Sequence, residues 1–154
     1  MSGSKTGATG VELAENEAAR EDAFAVREAV FVDEQGVPEE LEWDEYDGAD
    51  GTLLFVAYDD GEPVGAARLR RVDGDDGARK VERVAVLESE RGEGWGKRLV
   101  EALERVAREE NVRELRLHAQ TQVERFYCDL GYETTSGEFE EAGIPHVEMR
   151  KSLT

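Results

Sequence analysis

Residues 81–97 constrain this chain more than any other stretch. A run of valines (Val81, Val84, Val86) with strand character leads into three closely spaced glycines, Gly92, Gly94 and Gly96. Beyond them Trp95, Leu99, Leu103, Val106 and Ala107 fall on one helical face. A strand that feeds a helix through such a turn predicts a sheet with helices packed on it. The turn also lets a phosphate approach the backbone, and the helix start offers unpaired N–H groups and a partial positive charge. Arg91, Lys97 and Arg98 gather three cations there, in a chain of net charge −18. Two familiar phosphate motifs do not fit. A P-loop needs glycine five residues before Gly96 and Ser or Thr after Lys97, where Arg91 and Arg98 stand. A dinucleotide fingerprint starting at Gly92 needs glycine where Lys97 stands. On their own the glycines could equally serve only to let the helix pack on the sheet.

The rest of the chain fills in an α/β order. Residues 1–10 are polar and glycine-rich and read as a disordered lead, leaving residues 11–154 as one domain. Ala19, Ala23, Val26 and Val30 mark the buried face of a helix over 15–32, with Asn16 as its N-cap. Residues 36–50 are acidic and contain Pro38, predicting a loop with a short helical turn. Strands follow at 53–58 and 64–72, joined by a turn around Asp60-Gly61. A further turn over 73–78 precedes a strand at 80–87. After the long helix, 114–119 alternates as a strand. Thr121 and Glu124 form a capping-box pattern for a short helix bearing Val123, Phe126, Tyr127 and Leu130 on one face. Gly131 stops it. Two last strands are predicted at 132–140 and 146–152, around a turn at 142–145.

The charge excludes partners rather than naming one. With 19 basic and 37 acidic residues, the chain is a poor match for nucleic acid or an anionic membrane surface. The acids are scattered rather than gathered in a tail, and only four of the basic residues are lysine. That pattern suits a surface adapted to concentrated salt, where self-repulsion is screened to a few ångströms. No apolar run approaches the roughly 20 residues of a membrane helix, and the start lacks a signal-peptide pattern. A cytoplasmic location is the expectation. Cys128 is alone, which rules out intrachain disulfides and cysteine-based zinc frameworks. The run Asp73-Gly74-Asp75-Asp76-Gly77 resembles a calcium loop, but Ala78 and Val84 occupy the positions that need glycine and glutamate. No metal is expected.

Arg91-Gly92-Glu93-Gly94-Trp95-Gly96 resembles the [RQ]-x-x-G-x-[GA] motif of the GNAT superfamily of N-acetyltransferases. Phe126-Tyr127 followed by Leu130-Gly131-Tyr132 is similar to that family's later F-Y-x-x-x-G-[FY] segment. Residues 27–35 (REAVFVDEQ), the strand end His118-Ala119-Gln120 and Gly143-Ile144-Pro145-His146 resemble its ElaA-like subgroup. The likeness covers roughly residues 11–153. It implies a mixed, mostly antiparallel sheet of six to seven strands flanked by helices, with a splayed parallel pair forming an acyl-CoA cleft. It further implies an acyl-CoA-dependent N-acyltransferase, moving acetyl from acetyl-CoA to the amine of a small molecule, with room for a homodimer. The rival on the same fold is a non-catalytic acyl-CoA-binding or sensing module.

The resemblance distributes roles. The backbone around Val84, Ala85 and Val86 would pair with the pantetheine arm. Arg91, Gly92, Glu93, Gly94, Trp95, Gly96 and Lys97 would carry donors to the pyrophosphate, with the Glu93 side chain turned to solvent, and Phe126 would pack beside the cofactor. Tyr127 is the family-matched acid for the departing thiolate, its ordinary pKa near 10 lying above that of a thiol near 8.5. For the base, strand alternation puts Glu82 on one face with Val84 and Val86, with a solvent-facing glutamate as the alternative. His118 is its rival, or a buried hydrogen-bonded histidine. Glu34 and Gln35 could reach the acceptor or merely order their loop, and His146 reads as a structural or rim residue.

Overall fold

The computed structural model describes residues 9–42 and 44–154. The first helix, α1 (Glu17–Arg27), starts where its cap signal lies. Asn16 is extended, and its side chain accepts from the Ala19 N–H at 2.8 Å. Ala19, Ala23, Val26 and Val30 are all buried, as their spacing predicts. The helix then widens into a π turn over Glu28–Glu34, and the Gln35 N–H bonds the Val30 carbonyl five residues back. The acidic loop holds two short turns rather than one: α2 (Glu39–Glu42) and a 3₁₀ turn over Glu45–Gly48, which Asp44 caps.

Eight strands form one sheet. They are β1 (Gly10–Leu13), β2 (Leu53–Asp59), β3 (Glu62–Val72), β4 (Asp75–Val86), β5 (Glu114–Gln120), β6 (Glu133–Thr134), β7 (Phe139–Glu141) and β8 (Ile144–Ser152). Their order is β1-β2-β3-β4-β5-β8-β6, with β7 on β8. Only β4 and β5 run parallel among the described residues. The mixed, mostly antiparallel architecture is the expected one. The eighth strand arises because the segment predicted as one strand over 132–140 breaks into β6 and β7. Gly10 already belongs to β1, so the sheet begins inside the expected lead, whose residues 1–8 lie outside the described residues.

Helix α3 (Trp95–Glu109) and helix α4 (Glu124–Asp129) cover one face of the sheet. There Leu99, Leu103 and Ala107 pack with Phe55, Leu69, Leu115, Leu117 and Met149. On the other face α1 sets its alanines and valines against Leu54, Val56, Tyr58, Ala66 and Ala85. Strand β5 shows why a one-residue period works: Leu115, Leu117 and Ala119 are buried toward α3, while Arg116, His118 and Gln120 face the α1 side.

Three local expectations change. The capping box at Thr121 does not form, because a 3₁₀ turn over Thr121–Val123 precedes α4 and neither start carries a side-chain cap. Glu124 instead accepts a hydrogen bond from the Thr134 hydroxyl. Val123 stands 38% exposed rather than buried. The last hairpin is tighter than predicted: Ala142 and Gly143 take φ of 54° and 76°, so Ile144 and Pro145 already belong to β8.

Candidate active site

Strands β4 and β5 pair only from Ala78–Glu114 to Val81–Leu117, and then part. The cause lies in β4. Arg83 has φ of 57°, and the register with β3 slips by one residue between Ala66–Ala85 and Arg68–Glu82. This is a β-bulge, which inserts a residue and bends the strand. Holding a non-glycine residue left-handed costs about 1–2 kcal/mol. The Arg83 guanidinium compensates on the loop above it, donating from Nη2 to Leu41 O at 3.2 Å and to Asp44 Oδ2 at 3.2 Å. Its Nε lies 3.0 Å from Glu42 Oε1, an ion pair misaligned for a hydrogen bond.

A cavity of about 860 Å³ passes through the resulting gap from one face of the sheet to the other. On the α3 face it is walled by Val84, Val86, the glycine turn, Phe126 and Tyr127. On the α1 face it meets Gln35, Lys80, Glu82, His118, Glu141 and His146. Every site residue singled out from the sequence lines this cavity except Glu93, whose side chain is exposed, as anticipated for it.

The glycine turn is built for close approach. Gly92 and Gly94 have φ of 85° and 88°, and a Cβ at either would meet nothing within 4 Å. That open space lies directly before α3, whose first-turn N–H groups have no helical partners. A phosphate therefore fits without displacing protein atoms. Gly96 is different, since a Cβ there would press on Phe126 Cζ at 3.2 Å. Arg98 lies over the Trp95 ring at 4.3 Å, whereas Lys97 is exposed at the cavity. Arg91 is engaged elsewhere. It grips Glu34 with two hydrogen bonds of 2.7 and 2.6 Å and donates from Nε to Val86 O at 3.0 Å. Those bonds hold the Glu34 carboxyl below its usual range.

Tyr127 lies on α4, which ends in a Schellman turn: the Tyr132 N–H bonds Tyr127 O and the Gly131 N–H bonds Cys128 O, each at 3.0 Å. Its ring stands edge-on to Phe126 and Tyr132 at 5.0 and 5.6 Å. Tyr132 spends its hydroxyl on Glu104 Oε2 at 2.8 Å. The Tyr127 hydroxyl has no protein partner among the described residues, although the residue is only 7% exposed. Burial pushes its pKa above the ordinary tyrosine range. A buried, cavity-lining O–H without an acceptor is a donor held in reserve.

Glu82 departs from the sequence expectation. The bulge at Arg83 reverses the alternation, so Val81, Val84 and Val86 face α3 while Glu82 faces the α1 side. There it receives Arg68 Nη2 at 2.6 Å and Arg70 Nε at 2.7 Å, with Lys80 Nζ at 3.5 Å. Burial alone would raise its pKa, but hydrogen bonds from Arg70 and the charges of Arg68 and Arg70 bring it to about 2. Its lone pairs are committed to arginines. Arg68, itself 0% exposed, also bonds Asp44 and Asp47, and Arg27 bonds Glu42 and Asp47. The acidic loop is thus clamped onto the sheet by buried arginines.

The cavity's α1 side is closed by amides and histidines. Gln120 Nε2 donates to Gln35 Oε1 at 2.9 Å, joining the end of β5 to the π turn. His118 Nδ1 lies 2.8 Å from Glu141 Oε1, and His146 Nδ1 lies 2.7 Å from Ile144 O.

The sequence pattern of the acetyltransferase (GNAT) domain matches residues 13–153. The chain belongs to the GNAT acetyltransferase family. YjcF of Bacillus subtilis, described as an uncharacterized N-acetyltransferase, is 45% identical over 140 residues, covering 90% of this chain and 96% of that protein. A Lactobacillus plantarum protein whose crystal structure carries an N-acetyltransferase designation superposes with a TM-score of 0.86. It is 32% identical, over 96% of this chain and 99% of its own. The crystal structure of Escherichia coli ElaA gives a TM-score of 0.82 at 26% identity, over 94% of this chain and 99% of that one.

In this GNAT chain, sequence reasoning missed Lys80, Arg83 and Glu141 as cavity residues. Arg83 carried no signal, because a left-handed arginine inside a valine-rich strand looks like an ordinary exposed charge. Glu141 stands just before Ala142-Gly143, and its place beside the ElaA-like Gly-Ile-Pro-His run was the one available hint. No helix of this GNAT chain is long and apolar enough to cross a membrane among the described residues.

Proposed function

We propose that this chain transfers an acetyl group from acetyl-CoA to the amine of a small molecule in the cytoplasm, by direct attack on the thioester. One observation carries the reading: a single cavity threads the β4–β5 gap, with a phosphate-sized glycine turn and a partnerless tyrosine hydroxyl on one face and polar side chains on the other. The edge of β4 beyond Val81, unpaired on the β5 side, supplies backbone groups for the pantetheine arm and an N–H for the developing oxyanion. The N-terminus of α3, with Gly92, Gly94 and Lys97, receives the pyrophosphate. Arg91 shapes that turn through Val86 O and Glu34.

Tyr127 donates its proton to the leaving sulfur. Its raised pKa does not defeat the transfer, because the same desolvation raises the basicity of a thiolate beside it. Glu82 is not given the base's part, since a carboxyl near 2 holds a proton too weakly. Its part is to hold Arg68 and Arg70 under the acceptor side, where Glu34, Gln35 and His118 stand. The test is calorimetry with acetyl-CoA followed by thiol release over an amine panel. Binding with turnover supports the transferase, binding without turnover on any amine favours a sensing module, and no binding removes the cofactor assignment.

A further inference from the structure

The hairpin of β7 and β8 brings two hydrogen-bond acceptors face to face with no donor between them. His146 has its Nδ1 2.7 Å from Ile144 O, and a carbonyl can only accept, so the proton of the neutral ring sits on Nδ1. Its Nε2 lone pair is then left 3.7 Å from Glu141 Oε2. The other carboxylate oxygen, Oε1, is fixed by His118 Nδ1 at 2.8 Å, and this bond with His118 holds the Glu141 carboxyl below its usual range. Phe139 locks both rings, edge-on to His118 at 5.0 Å and stacked on His146 at 6.2 Å. All three polar residues line the cavity on the α1 face, opposite the cofactor side. A single nitrogen about 2.8 Å from each acceptor can bridge a gap of this width. Only a group with several N–H donors satisfies both, and a positive charge on it suits the carboxylate.

Resting on the transferase reading, we infer that the acceptor is a cationic primary amine, seated as its ammonium between Glu141 and His146, and that His146 Nε2 takes the proton that frees the nucleophile. The ammonium loses one proton to His146, and the imidazolium so formed is stabilised by Glu141. The neutral nitrogen then forms the C–N bond to the thioester carbon as the C–S bond breaks and its electron pair leaves on sulfur. Tyr127 protonates that sulfur and recovers a proton from water. The nitrogen gives its second proton to water, and so does His146, so one acetyl group moves and one proton is released in all. Apolar Phe31, Val37 and Leu41 on the same side of the cavity accommodate a hydrocarbon body on the amine.

The probes are phenethylamine and 1,4-diaminobutane, with 2-phenylethanol as the uncharged control. Glu141→Gln lies on an exposed hairpin and keeps the carboxamide shape, so the fold stands. It should raise the KM for the amines at least tenfold and leave acetyl-CoA affinity by calorimetry unchanged. His146→Asn retains an N–H near Nδ1 for Ile144 O and lacks Nε2. It should lower kcat about 10²-fold and move the acidic limb of the kcat–pH profile toward the pKa of the amine itself. The other charged groups around the seat, His118 on β5, Lys80 on β4 and Glu148 on β8, are unaltered in both variants. In the wild type, ring-nitrogen NMR of His146 should shift on titration with phenethylamine and not with 2-phenylethanol. Unchanged amine KM in Glu141→Gln, or an unmoved pH limb in His146→Asn, overturns the assignment. So does a wild type that binds acetyl-CoA but acetylates neither amine, an outcome distinct from loss of acetyl-CoA binding, which would overturn the transferase reading itself.

Discussion

Replacing Glu82 by glutamine tests whether the buried charges hold the acceptor side together. The carboxyl titrates near 2 in the folded chain, against an ordinary value of 4.5. At about 1.36 kcal/mol for each tenfold change in proton affinity, the folded state favours the carboxylate by about 3.4 kcal/mol. Glutamine keeps the shape and one acceptor oxygen but removes the charge that faces Arg68, which is 0% exposed. The variant should therefore be about 3 kcal/mol less stable in urea titrations at pH 7, within the range seen for breaking buried pairs. The sign with pH follows from the depressed value. The contribution is complete above about 4.5 and is lost as pH falls toward 2, so by pH 3 the wild type should lead by less than half as much. A lead below about 1 kcal/mol at pH 7, or the same lead at pH 7 and pH 3, would refute the clamp.

Gly94→Asp should weaken acetyl-CoA binding at least tenfold, about 1.4 kcal/mol, because it sets a carboxylate in the open space before α3 and strains a φ of 88°; calorimetry on the folded variant reads it. Tyr127→Phe should leave stability and acetyl-CoA affinity unchanged, since no protein hydrogen bond is lost, and lower turnover roughly 10²-fold in a thiol-release assay. Melting temperature should climb between dilute buffer and molar salt, as screening relieves the net charge of −18; a flat profile would refute salt adaptation.

Periodicity made the scaffold legible. Ala19, Ala23, Val26 and Val30 in α1 and Trp95, Leu99, Leu103 and Ala107 in α3 are buried where a helical repeat puts them. Such a repeat depends only on local geometry. The glycine turn was legible for the same reason, because a left-handed backbone selects its residue type. Glu82 was misplaced because strand alternation assumes an unbroken pleat, and a bulge set by the contacts of Arg83 with a distant loop leaves no local mark. Arg27 and Arg68 were invisible as interior residues, since their partners come from residues 42–47, far along the chain. Tyr127 was found by family likeness. Its free hydroxyl emerged only with the packing of Phe126 and Tyr132 around it.

The π turn at Glu28–Glu34 makes the reach of this site a matter of helical phase. A wide turn is an α-helix that has absorbed one extra residue. Deleting any one residue there would let the segment rewind as an ordinary helix, and everything after the deletion would rotate by about 100°. Glu34 and Gln35 would swing away from Arg91 and Gln120, while α1 and its buried alanines stayed in place. The loss or gain of a single codon in this stretch can thus change which amines fit, at little risk to folding. A lineage carrying such a turn holds a variable acceptor pocket on a constant cofactor site.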